Sequence, residues 1–254
     1  MNEISIWRIE WLRLIRTRRL LVLLIVFMFF GFVEPLGAKY LAQLISHTGG
    51  ADQIKVTVPP PVPADGISAY VNDAMLPGLI VSVVIAAYAY AVDSNPALSV
   101  FYRTRVKRFS ALILPRVTVS AGGVVVGYLV GLLVAWYETA VLIGAPNVSA
   151  MLYSALFGSV YLVFAMSVTA LAGTVVRSRL GAVGVALVFL LLCPIIGEIP
   201  VLSRWMPSGL VGAPDALLRH TAVDHFQRSI AVSVVLAVGL LMLASFRGER
   251  REVA

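Results

Sequence analysis

Charge is scarce in this sequence. Only 13% of its 254 residues are Asp, Glu, Lys or Arg, while 59% are apolar. Globular domains carry about a quarter charged residues, so a chain this depleted, with a mean hydropathy of +0.92, is expected to be an integral membrane protein. Lysine is rarer still: Lys39, Lys55 and Lys107 follow Ala38, Ile54 and Val106. A phosphate-binding P-loop needs Gly-Lys followed by Ser or Thr, so ATP hydrolysis by that route is excluded. The three histidines, His47, His220 and His225, lack an adjacent glutamate, which excludes an H-E-x-x-H metalloprotease site. His220, Asp224 and His225 read as solvated loop residues rather than metal ligands. Gly158-Ser159 has no histidine within an apolar run to activate it as a nucleophile. The one cysteine, Cys193, lies inside an apolar run, which rules out an intramolecular disulfide. No cofactor, no metal and no catalytic residue is expected in this chain.

What the sequence has instead is six long apolar runs, enough for six spans of about 20 residues but not for a further soluble catalytic domain. They are expected at 20–45, 67–92, 117–144, 149–176, 180–197 and 229–246. Before them, residues 3–17 place Ile4, Trp7, Trp11, Leu14 and Ile15 at helical spacing, with Glu3, Glu10, Arg13 and Thr17 opposite. That pattern predicts an amphipathic helix lying at the membrane interface. The cations extend to Arg19 and the apolar run after them is too long for a signal peptide, so the first span is expected to be retained. Glu34-Pro35 should kink or loosen it. Gly123, Gly127 and Gly131 recur every fourth residue in the third span, a spacing that lets helix backbones approach closely.

Orientation comes from the cations. The loop at 93–116 holds Arg103, Arg105, Lys107, Arg108 and Arg116. Such a cluster is too costly for hydrocarbon and is expected in the cytoplasm. With the loop inside, 15 of the 20 cations fall on the cytoplasmic side, and both termini lie there. The net charge of +7 follows from this bias, and no nucleic-acid partner is implied. The segment 198–228 contains Pro200, Pro207 and Pro214, and its apolar stretches are too short to cross. A re-entrant segment on the outside is expected there. Glu34, Asp73, Glu138 and Glu198 fall in the outer parts of spans. They are either interface anchors or an acidic vestibule; Glu34, Asp73 and Glu138 are the candidates for a substrate path.

An interfacial helix, six spans, a main cytoplasmic loop between spans two and three and a broken outer segment between spans five and six form a familiar order. The chain resembles the transmembrane permease subunit of type-2 ATP-binding-cassette exporters. Asp93 stands at the acidic end of span two, Pro96-Ala97-Leu98 where that family has a Gly-Thr-Leu-like stretch, Arg105 to Arg108 at its basic turn and Arg116 at the cation opening span three. The resemblance implies a coupling helix at Asn95 to Tyr102 that fits a groove on a separate ATPase subunit, where ATP and Mg are held. Asn95, Pro96, Leu98, Phe101, Tyr102 and Arg105 would make that contact. It further implies a second permease chain, identical or related, in the cytoplasmic membrane of a bacterium, with an amphiphilic drug, antimicrobial peptide or lipid moved outward. A six-span secondary carrier and a non-transporting scaffold or sensor are the rival readings.

Overall fold

The computed structural model describes residues 3–48, 60–90, 110–176, 178–199, 201–218 and 223–250. Among them there is no strand; the chain is a helical bundle. Helix α1 spans Glu3–Arg16, α2 Arg19–Thr48, α3 Pro63–Tyr90 and α4 Ser110–Leu142. Then follow α5 at Val148–Val175, α6 at Arg179–Gly197, the short α7 at Gly209–Leu218, a 3-10 turn at Val223–Phe226 and α8 at Gln227–Arg250. Among the described residues, six stretches are long and apolar enough to cross a membrane: Arg19–Tyr40, Pro63–Tyr90, Ser110–Leu142, Val148–Val175, Arg179–Gly197 and Val223–Glu249.

Burial sorts these six into two classes. In α3, α4 and α5 the most apolar window is 50%, 56% and 67% buried, against 22% in α2, α6 and the last span. The first three therefore form the centre, and the others present apolar surface outward. Tyr70 of α3 and Tyr128 of α4 stack at a centroid distance of 6.1 Å. Tyr70 Oη donates to the Tyr128 carbonyl at 2.9 Å and Tyr128 Oη to that of Ser154 in α5 at 3.2 Å. Buried hydroxyls need such partners, and this relay ties all three central helices together.

The glycine stripe expected in the third span seats its neighbours. Leu14 of α1 lies against Gly123, and Leu23 and Phe27 of α2 against Gly127. A methyl group added at Gly131 would stand 2.5 Å from the Phe27 carbonyl oxygen and the Tyr70 hydroxyl. Backbone meets backbone there, so only glycine fits.

Local chemistry sets the helix ends. Asn147 accepts from the Ser149 amide at 3.0 Å to cap α5, and Ser178 accepts from Gly181 at 2.9 Å to cap α6. Between α4 and α5 the chain turns at Gly144, whose φ of +148° lies where glycine is favoured. Arg18, at φ 57°, breaks α1 from α2. Helix α2 runs through Pro35, so the proline does not end it.

Two expectations need correction. Helix α4 begins at Ser110, seven residues before the expected span, so Arg116 is a helical residue and not the last cation of a loop. At 1.5 Å per residue its 33 residues reach about 50 Å, longer than the ~30 Å hydrocarbon core. In α1 the docked face is Ile6, Glu10 and Leu14, while Trp7, Trp11 and Ile15 point outward. Glu10 was expected on the exposed polar side. Its charge is tolerated inside because Arg116 meets it there.

Candidate functional site

Three places in the bundle concentrate polar chemistry. The first joins α1, α3 and α4 at one end. Arg116 Nε donates to Glu10 Oε1 at 3.0 Å, and Arg116 Nη1 to the Ala89 carbonyl at 3.3 Å. Arg116 is 3% exposed and Glu10 5%, so the pair is buried. Arg13 adds a second cation to the same carboxylate at 3.3 Å. Nearby, Tyr90 and Ser120 are hydrogen-bonded through their hydroxyls, joining α3 to α4. Arg19 and Arg179 belong to the same end, with the Arg179 guanidinium 5.3 Å from the centroid of Tyr88. A buried carboxylate among several arginines holds the first helix against the bases of the two helices that flank residues 91–109. The expected contact residues Asn95, Pro96, Leu98, Phe101, Tyr102 and Arg105 lie in that stretch, outside the described residues.

The second place is the pair Glu34 and Asp73, whose carboxyl side chains interact between α2 and α3. Of the three acids expected along a substrate path, the structure brings these two together. Glu138 is half-buried near the far end of α4. No cation among the described residues is ion-paired with Glu34 or Asp73.

The third place is at the opposite end of the bundle from Glu10. The end of α6, the turns at 201–208, α7, the 3-10 turn and the start of α8 line an open cavity of about 480 Å³. Glu198, Arg204 and His225 bring ionisable groups to its wall, and Gly209 and Gly212 of α7 leave it open. Its frame is hydrogen-bonded: Ser208 Oγ donates to the Cys193 carbonyl and Ser229 Oγ to that of Arg204, each at 3.1 Å. Leu210, Ala213 and Leu217 bury α7 against α3 and α5. At ten residues, or about 15 Å, α7 is too short to span.

In the sequence, Glu198 is one outer acid among four and His225 a loop residue. Their convergence with Arg204 had no periodic signal, because the turns between Glu198 and Gly209 have no repeat from which a shared face can be read. The Glu10–Arg116 pair also escaped: the partners are 106 residues apart, and each alone looked like an ordinary solvated charge. No protein-family model matches the chain, and no curated protein matches it.

Proposed function

We propose that this chain is the membrane subunit of a type-2 ATP-binding-cassette exporter: a permease without nucleotide chemistry of its own, working as a dimer with two ATPase subunits. The observation that carries the reading is the buried Glu10–Arg116 pair. It joins α1 to α4 and, through Ala89, to the end of α3. Force applied to residues 91–109 would therefore reach three helices at once, as an ATP-driven subunit pushing on a coupling loop requires. In this reading α1 lies in the cytoplasmic interface with Trp7 and Trp11 toward lipid. The loop faces the cytoplasm, both termini lie inside, and α7 belongs to a re-entrant outer segment. The outward apolar surface of α2 suits a second permease chain, and the family analogy supplies the direction of transport.

Co-purification tests it. A separate ATPase is expected to accompany the chain, and F101D/Y102D is expected to release it while leaving the elution profile of the permease unchanged. Retention of the ATPase by that variant counts against the loop as the contact. A Ser99→Cys probe is expected to be unreactive toward an impermeant maleimide in intact cells; labelling from outside would invert the topology and remove the motor from its loop.

A second reading has one observation in its favour. Ionisable groups within apolar spans are functional candidates, and the facing Glu34 and Asp73 suit a secondary carrier coupled to protons or cations. Reconstituted transport separates the two. The exporter needs ATP and its ATPase, whereas the carrier runs on an ion gradient and loses that coupling in E34Q/D73N.

A further inference from the structure

We propose that the cavity between the end of α6, α7 and the start of α8 binds the zwitterionic headgroup of a phospholipid, an ammonium joined to a phosphate, with its acyl chains lying outside along α6. The inference does not depend on the ATPase reading, since it concerns a site complete within one chain.

The charges point to a zwitterion. Glu198 and Arg204 line the same cavity, yet they do not form an ion pair among the described residues. A guanidinium suits phosphate oxygens through several N–H donors, and a carboxylate suits an ammonium. Either charge alone would select an anion or a cation; together in one cavity they select a molecule carrying both. A metal ion fits less well, because among the described residues Glu198 and His225 are its only acid or imidazole groups. No group of three or more His, Cys, Asp or Glu suited to a metal occurs among the described residues.

Size and surroundings point to a lipid. The cavity of about 480 Å³ is at the lower part of the range for small-molecule sites, about 300–1,000 Å³. It can take a headgroup but not two acyl chains as well. Immediately beside the lining residues, Ile195, Ile196 and Ile199 are exposed, and Val201 is 81% exposed. This apolar rim follows α6, one of the helices that turn apolar surface outward. Trp205 is half-exposed with the Arg228 guanidinium 5.4 Å from its ring centroid, an amphipathic pair suited to headgroup depth.

Trp205 also supplies the readout. In W7F/W11F/W136F it is the remaining tryptophan, and its emission can be followed in a neutral maltoside detergent. Three probes are titrated: dihexanoylphosphatidylethanolamine, dihexanoylphosphatidylglycerol and glycerophosphoethanolamine, which has the headgroup without the chains. A saturable response is expected for the phosphatidylethanolamine, at least ten-fold tighter than for either of the others. R204Q is expected to weaken it five-fold or more, and E198Q to abolish the preference over phosphatidylglycerol. Gly212 lines the cavity with nothing within 4 Å of an added Cβ, so G212L is expected to block binding at unchanged thermal stability. Equal binding of phosphatidylglycerol overturns the zwitterion assignment. Equal binding of glycerophosphoethanolamine assigns the cavity to a soluble zwitterion and overturns the lipid. No response to any probe, or parental affinity in both R204Q and G212L, overturns the site.

Discussion

Replacing Glu10 by Gln removes one charge of the buried pair with almost no change of shape. At the observed 3.0 Å and an effective dielectric constant of ~20, the gross Coulomb attraction is about 5 kcal/mol. Much of that is offset by the cost of desolvating two charges, but the variant withdraws the Glu10 carboxylate from a buried guanidinium. Loss of one partner from a buried pair costs about 3–5 kcal/mol. The bond from Arg116 to the Ala89 carbonyl remains in E10Q, so the low end, about 3 kcal/mol, is expected. For a chain of this size that is a fall in Tm of roughly 6–12 °C. The assay is thermal unfolding in detergent followed by fluorescence-detected elution, for the parent, E10Q, R116M and E10Q/R116M. Because removing both partners leaves neither charge of the pair buried on its own, the double variant is expected to recover part of the loss. A fall of 1 °C or less in E10Q, or additive losses in the double variant, would refute the coupling of α1 to α4 through this pair.

Other substitutions probe the packing. Gly131→Ala sets a methyl 2.5 Å from a backbone oxygen of α2 and is expected to cost about 1–3 kcal/mol, whereas Gly122→Ala, with nothing within 4 Å, should leave Tm unchanged. Tyr70→Phe removes the hydroxyl bonded to the Tyr128 carbonyl and is expected to cost about 1 kcal/mol, read as a lower midpoint on heating. Since Glu34 and Asp73 are neighbours, Glu34→Lys should stabilise by up to about 1 kcal/mol and the Glu34→Lys/Asp73→Lys pair should destabilise; equal Tm values for the two would separate these side chains. Cys193 is 5% exposed and should react with maleimide only after unfolding, as mass spectrometry of the folded and denatured chain can show.

The helical, six-span character of the bundle was legible in the residues alone, because hydrocarbon length and the cost of unpaired backbone groups impose long uninterrupted apolar runs. The turn at 145–148 was readable as well, since Pro146-Asn147 breaks a helix and Asn147 caps the next one. So was the role of Gly131, since a stripe of small residues in an apolar helix has close packing as its chief use. The tertiary structure decided where the charges go. Arg116 counted as a loop cation until Glu10, far away in sequence, was placed against it, and Glu34 and Asp73 became a pair only when α2 met α3. Hydropathy assigns each charge its cost in isolation, whereas burial depends on the partner that cancels it. That partner is chosen by helix packing, which is also why the ends of α6 and α8, the turns between them and the short α7 could assemble a charged cavity that no run of the sequence announces.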